Sequence, residues 1–160
     1  MGDDYLDKIV KGTLEIRIPR GIRNNNPGNL KEMPEDKTQW FGERATNDDP
    51  IFEEFEEPEH GIRALCKVLL TYYRKHKLGT VSKIITRWAP GEENDTGAYI
   101  ISVCRQMRVS TNAPLKVDEK ATLQALAAAI IVHENGRRAD GLAWYDDATL
   151  AYGVSLALED

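Results

Sequence analysis

Through most of the chain after Pro58, apolar residues recur every three or four positions, the spacing of helices that each bury one stripe. Ile62, Leu65, Leu69 and Tyr72 or Tyr73 share one face of a helix opened by Pro58 and ending near Gly79. Val81, Ile84, Ile85 and Trp88 predict a second helix, capped by Thr80 and stopped at Ala89-Pro90-Gly91. Thr96 is positioned to cap a third, with Tyr99, Ile100, Val103 and Met107 inward. Asp118 is expected to cap a fourth, carrying Leu123, Leu126, Ala127, Ile130 and Ile131. Asp146 or Asp147 begins the last, with Leu150, Ala151, Val154 and Leu158.

Upstream the pattern changes. Residues 3–11 predict a short helix, and the alternation over 13–18 predicts a strand. Arg20–Phe55 is dense in turn signals (Asn24 to Asn29 with Pro27 and Gly28, Met33-Pro34, Phe41-Gly42, Asp48-Asp49-Pro50) and reads as loop with a small β-hairpin. So long an irregular stretch in a compact domain is functional or disordered. Its anchors Trp40, Phe41, Ile51, Phe52 and Phe55 favour order. The pattern predicts one mainly α (α+β) domain over 1–160, with 1–19 as an N-terminal extension packed on it.

Composition narrows the classes. At 160 residues and 41% apolar content, the chain can bury one real core and is short for two domains. No apolar run reaches the roughly 18–20 residues of a membrane span. The opening MGDDYLDKIVKG lacks a signal-peptide pattern, so synthesis in a cytoplasm is expected. Cys66 and Cys104 both fall on apolar helical stripes, as buried free thiols rather than a disulfide. A net charge of −5 argues against nucleic acid as a partner. His60, His76 and His133 are far apart in sequence and His133-Glu134 lacks a second zinc-protease histidine, so neither a metal nor another cofactor is expected.

The chemistry gathers at Ala127–Gly136. Glu134 follows Ile130 by four residues and Leu126 by eight, which puts a carboxyl on the apolar stripe just before the Asn135-Gly136 helix stop. An apolar face and the negative end of a helix dipole both disfavour a charged carboxylate, the condition under which a general acid works near neutrality. A side chain reaching to water from a frayed helix end is the plainer alternative. A second carboxylate across a sugar could come from Asp49, although Asp-Pro is also an ordinary turn, or from Glu59, although a first-turn Glu is expected on dipole grounds alone. Asn24–Asn29, including Asn26 and Asn29, offers amides suited to sugar hydroxyls, or to its own backbone.

The runs RGIRNNNPGNL (20–30), WFGE (40–43), PIFEEFEEPEHGIRAL (50–65), TRWAPGEENDTGAYIISV (86–103) and HENG (133–136) resemble a phage and prophage family of lysozyme-like cell-wall hydrolases and virion proteins. More distantly, the chain is similar to lytic transglycosylases, goose-type lysozymes and flagellar or autolysin N-acetylglucosaminidases. In those enzymes a catalytic Glu ends a helix, followed by a turn, a hairpin, an aromatic segment and a tyrosine-bearing helix. Asn25–Lys31 looks like the turn, Phe52–Ile62 like the aromatic segment and Thr96–Val103 like the tyrosine helix. Here the Glu helix comes near the end of the chain, as a circular permutation would produce.

The resemblance implies a lysozyme-like domain that cleaves peptidoglycan. Glu134 would be the acid, Tyr99 would sit against its helix, and Asn26, Asn29, Thr96 and Tyr99 would contact substrate. It further implies delivery to the cell wall by phage lysis, in a virion or through a secretion machine. The competing reading is a non-catalytic virion or secretion-system subunit of the same fold. A third, a protein-interaction adaptor, would need a sizeable exposed apolar patch.

Overall fold

The computed structural model describes residues 17–33, 35, 39–92 and 94–159. The helix expected over 3–11 and most of the strand expected over 13–18 lie outside the described residues. Six helices follow in order: α1 (Arg20–Arg23), α2 (Pro58–Arg74), α3 (Val81–Trp88), α4 (Thr96–Met107), α5 (Lys120–Asn135) and α6 (Asp147–Glu159). The protein is mainly helical, and none of these helices is long and apolar enough to cross a membrane.

Local chemistry sets the helix ends. Pro58 opens α2, where its missing N–H costs nothing. The Thr80 hydroxyl accepts from the Lys83 N–H to cap α3. The cap of α4 is Asp95 rather than Thr96, its carboxylate accepting from the Ala98 N–H at 3.0 Å. Two neighbouring residues could both cap, and the extra reach of Asp95 from one position upstream wins. Likewise α5 starts after Glu119 rather than Asp118, with no side-chain cap. Asp146 caps α6 by accepting from the Thr149 N–H at 2.8 Å.

One apolar core joins α2 to α6, with Ile62, Leu65, Leu69, Ile84, Leu123, Leu126 and Ile130 fully or almost fully buried. Helix α2 packs most extensively on α6, while α4 lies between α3 and α5. Gly153 makes the α2–α6 approach possible, since a Cβ there would meet the Ile62 Cγ2 at 2.5 Å. Cys66 and Cys104 are free and buried as expected, and burial pushes the Cys66 thiol up to about 12.

The region before α2 is held by side chains rather than by a sheet. The expected hairpin reduces, among the described residues, to two isolated antiparallel bridges, Lys31 with Phe52 and Glu43 with Phe55. The reason is that turn residues and buried polar groups repeatedly interrupt the ladder. Asp49 pairs with Arg20 through two bonds of 2.6 Å, and Arg44 donates to the buried Glu54 carboxylate at 3.1 Å. Phe55, fully buried, pins the end of the loop through its N–H to the Asn24 carbonyl at 2.8 Å.

Candidate active site

Glu134 sits in the last turn of α5, half-buried, and its carboxyl opens into a cleft of about 730 Å³. Asn29, Lys31, Phe52, Tyr72 and Trp88 form its walls with Glu134. Each carboxyl oxygen accepts one hydrogen bond. The Asn29 Nδ2 donates to Oε1 at 3.0 Å, and the Tyr99 hydroxyl donates to Oε2 at 2.8 Å. Tyr99 in turn accepts from the Trp88 Nε1 at 3.0 Å, so an indole, a phenol and a carboxyl form a directed chain.

That chain has a defined polarity. Burial first, and then the charge and hydrogen bond of Glu134, raise the Tyr99 hydroxyl far above its ordinary value. It therefore stays protonated and always presents a donor to Glu134. The His133 ring stacks on Tyr99 at 3.7 Å between centroids with an interplanar angle of 25°, which packs the phenol in place. A carboxyl has about four lone-pair sites, and two bonds leave capacity on each oxygen for a further proton or donor.

The turn before the cleft is tied directly to the end of α5. Asn135 is buried and donates from Nδ2 to the Pro27 carbonyl at 2.8 Å and to the Ile131 carbonyl at 3.0 Å. Gly21 of α1 lies so close that a Cβ would meet the Asn135 Oδ1 at 2.5 Å and the Asn29 Oδ1 at 2.6 Å. Asn29 itself has φ +50°, in the left-handed region that asparagine tolerates, and this turns its amide toward Glu134.

No protein-family model matches the chain. Over 117 residues, 73% of this chain and 71% of the relative, it is 48% identical to Protein P5 of Pseudoalteromonas phage PM2. The chain belongs to the Protein P5 family. In this member of the Protein P5 family, the structure brings together three of the residues singled out from sequence, Glu134, Asn29 and Tyr99.

The other singled-out residues of this Protein P5 relative have different surroundings. Asn26 is fully buried and spends its amide on the turn, donating to the Leu30 and Glu53 carbonyls at 3.0 Å and accepting from the Leu30 N–H. Asn24 and Asn25 likewise brace the Asp49 and Phe55–Glu56 segments. Thr96 donates to the Ala89 carbonyl at 2.5 Å, joining the end of α3 to the start of α4. Of the four asparagines, Asn29 is therefore the one that reaches the cleft.

Neither Asp49 nor Glu59 lines the cleft. The Asp49 carboxylate is consumed by Arg20, the Ile51 and Phe52 N–H groups and the Asn24 amide. Hydrogen bonding from Arg20, the largest cause, holds it well below the usual carboxylate range, which suits a structural ion and not a base. Glu59 stands in the first turn of α2, its carbonyl beside Gly153, and its charge, after burial, helps raise the Tyr145 hydroxyl. Sequence reasoning missed Trp88 as the start of the chain to Glu134. A signal existed, because a buried indole N–H needs an acceptor and Tyr99 was already placed inward.

Proposed function

We propose that this protein cleaves the glycan strand of peptidoglycan at the β-1,4 bond between N-acetylmuramic acid and N-acetylglucosamine, with Glu134 as the general acid. The observation that carries the reading is one half-buried carboxyl in the last turn of α5, opening into a cleft and held on both oxygens by donors. Glu134 protonates the leaving glycosidic oxygen as the bond to the anomeric carbon breaks. The Asn29 amide and Tyr99 hydroxyl then stabilise the carboxylate that forms, an interaction stronger in the transition state than before it. The lysozyme-like and circularly permuted arrangement inferred from the motifs belongs to the same proposal.

Among the described residues lining the cleft, Glu134 is the carboxylate. That favours attack by the sugar's own 6-hydroxyl over a second carboxylate's base or nucleophile chemistry. The 6-oxygen bonds to the anomeric carbon, its proton passes to the Glu134 carboxylate, and the acid is restored. The product is an anhydro sugar, the outcome of a lytic transglycosylase.

Digestion of purified peptidoglycan by wild type and Glu134→Gln, with products identified by mass spectrometry, tests this. Anhydro products from wild type, and a drop of roughly 10²–10⁴-fold in the variant, are expected. Reducing-end products would keep Glu134 as acid but replace the intramolecular step by water. A second reading, compatible with the phage origin of the relative, is a non-catalytic virion subunit. That reading predicts no cleavage by either protein.

A further inference from the structure

A second cavity, of about 290 Å³, lies between α5 and the connection that follows it, and shares no lining residue with the Glu134 cleft. Its α5 wall is Ala125, Ala128, Ala129 and Val132, one helical face whose short side chains leave the volume unfilled. The other wall comes from the path to α6. The chain leaves α5 at Gly136, φ +67°, and reverses in a tight turn. In that turn the Arg138 N–H donates to the Leu142 carbonyl at 3.0 Å and Gly141 takes φ +83°. The reversal brings Trp144 and Tyr145 to the cavity.

Both of these side chains carry an unanswered donor. The Trp144 Nε1 and the Tyr145 hydroxyl are closed to solvent and have no hydrogen-bond partner among the described residues. A buried donor without an acceptor is costly, and folded proteins nearly always supply one. Burial first, and then the Glu59 charge, hold the Tyr145 hydroxyl above its ordinary value, so it keeps its proton and stays a donor.

Size and charge narrow what could answer them. The 290 Å³ is roughly twice the ~150 Å³ that holds a benzene ring and about ten times the ~30 Å³ share of one water. Alanine and valine walls give that much water few partners, so an apolar body fits better. The Glu59 charge acting on Tyr145 would repel an anionic acceptor there. Arg137, the charged residue in the described lining, is exposed, where water and salt screen it. A neutral oxygen is left as the acceptor, and one carbonyl has two lone pairs.

We infer that this cavity binds a small uncharged molecule with a ring-sized apolar body and a carbonyl oxygen that accepts from Trp144 and Tyr145. The site goes beyond the glycan-cleaving reading and does not depend on it.

The test is NMR titration of the isotope-labelled full chain with three probes of equal heavy-atom count. They are acetophenone, isopropenylbenzene, in which a methylene replaces the carbonyl oxygen, and benzoate. Acetophenone should bind best, shifting the Trp144 indole N–H downfield together with backbone amides of 136–145. Isopropenylbenzene should bind roughly five- to thirtyfold more weakly, the worth of one or two hydrogen bonds, and benzoate at least as weakly. Trp144→Phe and Tyr145→Phe should each narrow the gap between ketone and alkene, and Ala128→Met should weaken both by filling the cavity. The comparison of probes on the wild type needs none of these variants to fold. Equal affinity for ketone and alkene reduces the cavity to an unselective void and overturns the inference, as does tightest binding by benzoate. No shift over 136–145 with any probe overturns it too, and makes water the partner of both donors.

Discussion

The Glu134 carboxyl is oriented by groups that come from three separate stretches of chain, and their removal has separable effects. Tyr99→Phe keeps the ring that stacks on His133 but removes the donor to Oε2 and leaves the Trp88 N–H without its acceptor. If Tyr99 positions and stabilises Glu134, kcat on peptidoglycan falls about tenfold or more while KM stays nearly constant, the mark of an interaction made mainly in the transition state. The pH–rate profile should move as well, because a hydrogen bond to the carboxyl disappears. A merely structural tyrosine would lower stability, by about 1–3 kcal/mol for an orphaned buried donor, and leave the profile in place. Kinetics across pH together with urea unfolding distinguish the two.

At the level of elements, two junctions hold the cleft. The loop that carries Asn29 is fastened by the Arg20–Asp49 pair, which bridges α1 to the segment before α2. Asp49 is depressed in the folded protein, so its contribution to stability is fully present above the ordinary Asp pKa of about 3.9 and is lost progressively as the pH falls from there toward the lower folded-state value. Asp49→Asn should therefore be less stable than wild type at neutral pH. The gap should narrow between about pH 5 and pH 2, as urea midpoints along a pH series would show. The second junction is α2 against α6. Gly153→Ala is expected to destabilise by about 1–3 kcal/mol, because the added Cβ meets Ile62 and outweighs the gain in helix propensity. The loss should shrink in an Ile62→Ala background, a coupling that a double-mutant cycle measures.

For the molecule as a whole, a core continuous from α2 to α6 predicts one cooperative transition, with helical circular dichroism and tryptophan fluorescence coinciding. Leu65→Ala, at a fully buried position in that core, should shift both probes together by about 2–5 kcal/mol. The helices from Pro58 onward were legible because each has to bury its own stripe, and that requirement is written in spacings of three and four within one segment. The position of Glu134 on its stripe at a helix end was legible for the same reason. The exact helix starts were not: at α4 the adjacent Asp95 and Thr96 can both cap, and α5 begins after Glu119 with no side-chain cap, so the capping preference of Asp118 did not mark its start. Most of the site's polar pairing was also hidden. Asn29 and Glu134 are 105 residues apart and Arg20 and Asp49 are 29 apart, and in a run of asparagines nothing local says which amide will bond its own turn and which will cross to a helix. Periodicity therefore determines which face of each helix is inside. The path of the loop through space determines which polar groups meet there, because a hydrogen bond depends on a few tenths of an ångström that no residue spacing encodes.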